Sequence, residues 1–526
     1  MTIILLCNKP SDDLPRGEPE APNAAINLAA LFSGISMIES TTRERYGNLG
    51  TAPSSVPLVV DLDGTLLRSD LLIEAGMLFL KEHPGRFWQP LVWLTGGKAA
   101  LKARLAEQVD LDVSDHPFHD EVIAMINAAR NESRRIVLAT ASHEKWARKV
   151  ADQLGLFDEV LATDEVRNLS AERKRDVLLD RFGARGFDYV GNSHDDLPIL
   201  AVARKGYLVN PQPGLRGKAG QLETPIEEVI NREDSARTWF KALRIHQWLK
   251  NLLVFVPLLA SHRVAEPQLV INGAFAFIFF GLVASSVYLL NDLLDLPDDR
   301  KHPKKRLRPF ASGTLSVKAG LAAVPLLLLV AFAGSLVFLP WGFTVVLAGY
   351  YLLTLAYSVD LKRRMMIDVM VLAALYTMRI IAGGAAFGLD LTFWILALSL
   401  FMFLSLAMVK RYAELHSAID RGQVGQTPGR GYWPADMGMV AVLGAVSGYL
   451  AVLVLALYIN DEGTAALYSH AEWIWLAVPL LLFWVSRIWM LAHRGEMHED
   501  PLVFAVRDRV SLVVGALFLL VFWMAI

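Results

Sequence analysis

The sequence predicts a multidomain chain of two fold classes: an α/β domain with a parallel sheet and a helical cap, then an all-α bundle of nine transmembrane helices. Three observations carry this. Up to about Ala236 the polarity is that of a soluble protein, and beyond Leu249 the chain becomes a series of apolar blocks. In the first part, short apolar runs that end in polar or small residues alternate with helical patterns. In the second, the segments joining the apolar blocks alternate between strongly basic and almost devoid of basic residues.

The strand-like runs are Pro57-Leu58-Val59-Val60, which leads into Asp61-Leu62-Asp63-Gly64-Thr65, then Arg135 to Thr140, and Phe187 to Asn192. Helical patterns lie between them, as at Glu144 to Leu154 and Ala171 to Phe182. Such alternation builds a parallel sheet whose sites form at the carboxyl ends of strands. The notable polar residues all fall at those ends, which argues for one shared site. The expected boundaries are a mobile tail over 1–55 (or in part sequence ahead of a true start at Met37), the α/β domain over 56–210 with its cap near 69–133, a Pro- and Gly-rich linker over 211–238, and the membrane domain over 239–526. The apolar run Ile3 to Cys7 is too short for a signal peptide.

Composition narrows the function classes. The 526 residues are 54% hydrophobic, and the mean hydropathy of +0.37 is too high for an average soluble protein. A net charge of −2 gives no case for a nucleic-acid partner. The single cysteine, Cys7, permits neither an internal disulfide nor a cysteine-based metal site.

The apolar blocks run approximately 249–262, 270–290, 317–338, 342–357, 367–387, 391–409, 436–459, 472–492 and 509–526. Ahead of them, Trp239, Phe240, Lys241, Arg244, His246, Trp248 and Lys250 read as an interfacial anchor on anionic lipid. One set of connecting segments carries Arg300 to Arg308, then Lys362, Arg363 and Arg364, then Lys410, Arg411, Arg421 and Arg430, then Arg494, Arg507 and Arg509, while the alternate set has little beyond Arg263. The positive-inside rule places the basic set and the α/β domain in the cytosol, across a bacterial inner membrane, and an odd span count puts the C-terminus outside.

Charge bias does not explain the acids. Asn291, Asp292, Asp295, Asp298 and Asp299 crowd the end of the second block, with Asn291, Asp295 and Asp299 spaced by four. In a helix such residues share a face at intervals of ~6 Å. Pro297 is expected to end the helix near Leu296 and leave Asp299 in a turn. Acids this close repel one another unless a cation bridges them, and oxygen-only ligands favour Mg2+ or Ca2+. Their position at one cytosolic face, rather than mid-bilayer, argues against a transporter. Arg379, inside the fifth block, demands a partner, and Gly383, Gly384 and Gly388 read as close helix packing.

The Asp61-x-Asp63-Gly64-Thr65 run resembles the first signature of the haloacid dehalogenase (HAD) superfamily, mostly phosphatases, over roughly Pro57 to Asn210. The resemblance implies that Asp61 is the nucleophile toward phosphorus and Asp63 the general acid and base. It also implies that Thr140 holds phosphoryl oxygens, that Lys174 neutralises developing charge, and that Gly191 to Asp196 form the acidic metal loop. Asn192 stands where the leading aspartate is usual, so Asp196 becomes the main anionic metal ligand beside Asp61 and Asp63, with Asp195 second. A weaker hold on magnesium follows.

From about Lys241 onward, Asn291-x-x-x-Asp295-x-x-x-Asp299 resembles the first aspartate motif of the UbiA superfamily, nine-helix intramembrane prenyltransferases that hold a substrate diphosphate through magnesium. The second Asp-x-x-x-Asp motif of aromatic-prenylating members is missing. In its place stands Lys410-Arg411-Tyr412-Ala413-Glu414-Leu415. With Tyr357 to Lys362, Asp368, and His302 to Pro309, this is similar to the decaprenyl-phosphate phosphoribosyltransferase branch. That resemblance implies a polyprenyl phosphate acceptor, a phosphoribosyl diphosphate donor, and phosphate-binding cations among Lys304, Arg306, Arg308, Lys362, Lys410 and Arg411. Glu414 is a candidate for a second metal, Asp368 for orienting Lys362 or binding ribose hydroxyls, and Tyr357 for substrate contact. The fused phosphatase would then remove the 5-phosphate. The alternatives are transfer of a prenyl chain from its diphosphate to an aromatic acceptor, and a non-catalytic, regulatory or scaffolding α/β domain. Beyond these substrates and membrane lipids, no protein partner is implied.

Overall fold

The structure is a computed structural model that describes residues 56–164, 168–230, 235–422, 425–426, 430–461, 468–497 and 500–526. The expected tail and its alternative start at Met37 lie outside the described residues.

Six parallel strands form one sheet: β1 (Leu58–Val60), β2 (Ile136–His143), β3 (Glu159–Thr163), β4 (Asp188–Gly191), β5 (Lys205–Val209) and β6 (Ile226–Ile230). Their order is β3-β2-β1-β4-β5-β6. β1 lies centrally, with Val59 aligned to Val137 on one side and Tyr189 on the other. Strands buried on both faces need continuous apolar runs; Leu58 to Val60 of β1 and Ile136 to Ala139 of β2 are buried throughout, and Val59, Val137, Ala139 and Tyr189 pack with the helix residue Leu178 and with Phe187. The chain order reverses beside β1, so the crevice at its carboxyl end receives residues from β1, β2 and β4. β6 corrects the expected linker. Ile226 and Glu227 pair with Gly206 and Tyr207 of β5, so the Pro/Gly cluster before them marks the turns leading into one more strand.

Residues 69–133 hold four α-helices: α1 (Leu71–Glu82), α2 (Gln89–Thr95), α3 (Lys98–Gln108) and α4 (Asp120–Asn131). Two further helices, α5 (Glu144–Leu154) and α6 (Ala171–Phe182), link the strands. In α1 the Asp70 carboxylate caps the first turn by accepting from Ile73 N at 3.1 Å. Leu71, Ala75 and Phe79 are fully buried on one side of it. Ile73, Met77 and Leu80, at helical spacing on another, pack against Leu289, Leu293, Leu296 and Phe310 of the membrane half. Burial of a side chain such as Met77 contributes about 1.5–3 kcal/mol.

The membrane half contains α7 (Pro267–Leu294), α8 (Leu296–Lys301), α9 (Val317–Phe338), α10 (Trp341–Val359), α11 (Ile367–Phe387), α12 (Phe393–Asp420), α13 (Met437–Ile459), α14 (Ala477–His493), α15 (Pro501–Arg507) and α16 (Arg509–Ala525). Among the described residues seven helices are long and apolar enough to span a membrane, or eight if α15 and α16, bent by 83°, count as one. The sequence reads nine such blocks, two or one more than this count. The first expected block falls in Ile245–Ala260, a 3₁₀ run that passes into a short helix and is shorter than the ~20 residues a span needs. Seven spans would keep the odd parity behind an outward C-terminus, and eight would reverse it. Close packing at Gly383 explains that glycine: a Cβ there would lie 2.0 Å from the carbonyl oxygen of Val254.

Among the described residues Arg379 finds no acid. Its guanidinium donates to Asn251 Oδ1 (3.1 Å), to Leu375 O (2.5 Å) and to Tyr350 Oη (3.0 Å), and it lies over the Phe280, Tyr350 and Tyr376 rings at 5.0–5.4 Å. Aromatic faces and neutral oxygens compensate this buried charge, in place of the ion pair the sequence suggests.

One buried ion pair ties the two halves. Glu74 of α1 accepts from both terminal nitrogens of Arg300 in α8, at 2.7 and 2.6 Å, and His116 Nε2 lies 2.9 Å from it. Burial opposes the charge, yet Arg300 and His116 hold the Glu74 carboxyl well below the usual carboxylate range. Removing one partner leaves the other charge buried and bare. Glu74→Ala is expected to cost about 3–5 kcal/mol, read as a lower melting temperature and faster proteolytic separation of the halves.

Candidate active sites

The α/β domain gathers its polar residues at the end of β1. Asp61 follows β1 directly; its Oδ1 takes Lys174 Nζ at 2.8 Å and its Oδ2 takes Thr65 Oγ1 at 3.1 Å. Lys174 arrives from the first turn of α6 and also lies 3.4 Å from Asp196. Asp63 accepts from Leu71 N, the first residue of α1, at 2.9 Å, and from the Ser142 hydroxyl. Thr140, fully buried in β2, accepts from Ser142 N at 3.0 Å, which leaves its hydroxyl proton free to donate. Gly64 allows this convergence: its φ is +79°, and a Cβ there would lie 2.1 Å from Asn192 Nδ2. Asn192 therefore stands directly against the Asp61–Asp63 loop.

Asp196 departs from its expected role as main metal ligand. Its Oδ2 accepts from Asn192 N, Ser193 N and Ser193 Oγ at 2.9–3.0 Å, and its Oδ1 from Tyr189 Oη at 2.6 Å. A carboxylate so engaged clamps the loop, and a cation could reach it only by displacing those donors. Asp61 and Asp63 remain, two carboxylates beside one lysine, and among the described residues no cationic side chain touches Asp63. That surplus of negative oxygen fits a hard divalent cation, with the Asn192 amide as neutral third ligand.

At the other end of α1 lies the second cluster. α7 ends at Leu294, and the ladder continues as Asp295 N donates to Asn291 O at 2.9 Å and Asp299 N to Asp295 O at 2.8 Å. Asn291, Asp295 and Asp299 thus keep one-turn spacing. Pro297 does not leave Asp299 in a turn. It occupies the first turn of α8, where its missing N–H costs nothing, and Asp299 is helical. Every motif acid is paired. Arg308 donates to Asp292 at 3.1 Å and to Asp299 at 2.6 Å, Arg244 also pairs with Asp292, and Lys81 of α1 lies 3.1 Å from Asp295 and 2.6 Å from Asp298. Burial raises the Asp299 pKa although Arg308 opposes it. Because cations interleave with the acids, no three metal-ligating side chains converge as a preformed cluster among the described residues. The donor set, oxygen-only and partly open at Asp295, fits magnesium once those cations exchange partners.

Residues 252–507 match the UbiA prenyltransferase family, and residues 58–201 the haloacid dehalogenase-like hydrolases. The nodulation protein NoeC of Azorhizobium caulinodans is 38% identical over 294 residues, 54% of this chain and 92% of that protein. The decaprenyl-phosphate phosphoribosyltransferase of Mycobacterium tuberculosis is 32% identical over 275 residues, 51% of this chain and 88% of that protein. The chain belongs to the UbiA prenyltransferase family. A HAD-like domain precedes its UbiA domain, and the similarity to an uncharacterized protein, y4nM, of Sinorhizobium fredii, 34% identical over 97% of this chain and 99% of that one, runs through both.

The remaining candidates of the UbiA domain are placed differently from one another. Lys362 is near the aspartate motif: burial lowers its pKa, while Asp295 acts to raise it and Lys81 to lower it. Tyr357 Oη accepts from Arg430 at 3.0 Å, and Arg430 also lies 3.9 Å from Glu414. Lys410 pairs with Asp500 at 3.2 Å, alongside Lys250 at 2.8 Å and the Tyr376 hydroxyl. Asp368 does not orient Lys362. It is buried, with its oxygens taken by Arg411 at 2.5 Å and Tyr432 Oη at 2.7 Å. Arg411, itself buried, also bonds Glu414, so it braces two acids and is not open to a phosphate. Lys304 is exposed, and among the described residues its ammonium contacts none of these acids. The residues absent from the sequence reading are Lys81, Ser142, Arg430 and Asp500 as site members, and Arg244 and Lys250, which turn inward to acids. Trp248 likewise bonds Ser285 at 2.9 Å, whereas Phe240, in the same aromatic and basic stretch, stays exposed.

The pH dependence of the HAD-like site follows from its carboxyls. Burial pushes Asp61 up to about 6, with Lys174 opposing, and burial with Asp70 repulsion pushes Asp63 up to about 7. Both folded-state values exceed those of free carboxylates, so protonation favours the folded site, and this stability is present at acid pH and lost as pH rises through 6 to 7. Difference infrared titration in metal-free buffer should show two carboxyls ionising in that range, the upper one absent in Asp63→Asn.

Proposed function

We propose that the UbiA domain transfers a 5-phosphoribosyl group from phosphoribosyl diphosphate to a polyprenyl phosphate, and that the HAD-like domain removes the 5-phosphate from the lipid-linked product. The observation that carries this reading is the density of cations around the aspartate motif. Lys81, Arg244, Arg308 and Lys362 surround it, with Arg430, Lys250 and Lys410 beyond, where a donor with two phosphate groups and an acceptor with a third would need them. The decaprenyl-phosphate phosphoribosyltransferase relative carries the same reading in its name.

In the transfer, an oxygen of the lipid phosphate bonds to the ribose anomeric carbon as the bond from that carbon to diphosphate breaks. Magnesium on Asn291, Asp295 and Asp299 would supply Lewis-acid neutralisation of the departing diphosphate. Arg308 and Lys362 orient the charged groups, and the apolar helices receive the isoprenoid tail. In the HAD-like domain the Asp61 carboxylate bonds to phosphorus while the bond to ribose O5 breaks, and Asp63 gives its proton to that oxygen. Asp63 then takes a proton from water, which attacks the phosphoaspartate and releases inorganic phosphate. Lys174 balances the charge on Asp61, and the Thr140 hydroxyl is placed to donate to a phosphoryl oxygen.

Membranes holding the protein, given labelled phosphoribosyl diphosphate, decaprenyl phosphate and magnesium, are expected to form labelled lipid and release inorganic phosphate. Asp295→Asn should lower lipid labelling by about two orders of magnitude or more, as loss of a transition-state charge contact does. Asp61→Asn should keep labelling but accumulate the 5-phosphate form. No labelling by the wild type, with prenylation of an aromatic acceptor from its diphosphate instead, would replace the donor assignment. Phosphate release undiminished in Asp61→Asn would make the HAD-like domain a scaffold.

A further inference from the structure

We propose that Lys81, a residue of the HAD-like domain, is a diphosphate ligand of the UbiA site. This deepens the reading above but rests only on its diphosphate part. Lys81 occupies the last turn of α1. Its Nζ lies 3.1 Å from Asp295 and 2.6 Å from Asp298, and its side chain is only 22% exposed. The helix that carries it is fixed on the membrane half by the Glu74–Arg300 pair and by the apolar contacts of Ile73, Met77 and Leu80, so this ammonium is delivered to the aspartate motif by docking.

The contact is not explained as a fastener. Asp298 is 73% exposed, and an ion pair with a solvated carboxylate adds little to an interface that a buried pair already secures. Its placement beside Asp295 has a different effect. Arg308 of the membrane half holds the neighbouring motif acid Asp299 at 2.6 Å, so cations from the two domains meet at one aspartate motif. A magnesium-bound diphosphate at Asp295 competes for that carboxylate and brings phosphate oxygens to the same place. The Lys81 ammonium, flexible over four carbons, then moves from carboxylate to phosphate oxygen. Asp298 holds the lysine near the site when diphosphate is absent. The UbiA site is therefore completed by the neighbouring domain, independently of any chemistry in that domain.

The test uses full-length protein in lipid nanodiscs and titrates inorganic diphosphate with magnesium by calorimetry. The binding component that Asp295→Asn abolishes belongs to the UbiA site. Lys81→Met should weaken that component about tenfold or more, as loss of a charge-assisted phosphate contact does, and Lys81→Arg should retain most of it. Lys301→Met is the control, because Lys301 forms another exposed pair between the domains, with Asp112 at 2.9 Å, and among the described residues makes no ion pair with Asp295. Equal affinity in Lys81→Met and wild type overturns the proposal. So does equal weakening by Lys301→Met, which would reduce Lys81 to docking. Because inorganic diphosphate leaves in either transferase reaction, a failure of phosphoribosyl transfer in the membrane assay leaves this measurement decisive.

Discussion

The Glu74–Arg300 pair is the contact on which the two-domain architecture turns. Both side chains are buried, the carboxylate is gripped at two oxygens, and His116 and Ser69 complete its surroundings. Such a pair is costly to assemble and more costly to half-remove, so it specifies one docking geometry rather than merely adding adhesion. From that geometry follow the seating of Met77 among Leu289, Leu293 and Phe310, and the approach of Lys318 to Asp70 at 2.8 Å. One end of α1 thereby meets Asp63 and the other meets Asp295.

Both sites store their charge in partnerships. Asp292 and Asp299 share Arg308, Asp295 holds Lys81, and Asp500 holds Lys250 and Lys410. A polyanionic substrate entering this region does not need to create a field, because the cations are already in place and only change partners. The HAD-like site has the opposite bias. There the carboxylates outnumber the lysine, and burial raises Asp61 and Asp63 toward neutrality. The two sites therefore differ in resting charge, with cations paired to the motif acids at one and carboxylates in excess of lysine at the other.

The sequence was most legible where local pattern and topology act together. Asp61, Thr140 and Asn192 each lie in or just after a strand of the sheet, and a parallel sheet brings such ends together whatever else the chain does. The four-residue spacing of Asn291, Asp295 and Asp299 survived the helix break for a similar reason: hydrogen bonds between successive turns preserve it. Partners across long sequence separations were not legible. Asp368 and Arg411 are matched by helix packing, and Asp196 is spent on its own loop, facts that residue type does not encode. The two span counts differ where apolarity and helix geometry part company, at the 3₁₀ run of Ile245–Phe255 and at the bend where Asp508 caps a new helix.

The length of α1 has a consequence for traffic between the sites. Twelve residues at ~1.5 Å each separate its ends by about 18 Å. A lipid-linked sugar whose tail stays in the bilayer would cross that gap by swinging its headgroup, without dissociating and being diluted among bulk lipids. At such a separation the effective concentration of one headgroup for the other site is at least millimolar, so even a weakly binding hydrolase would capture it. Inserting a single residue into α1 would also rotate one end by ~100° relative to the other. The covalent length of one short helix would thus set both the distance and the phase of the proposed relay.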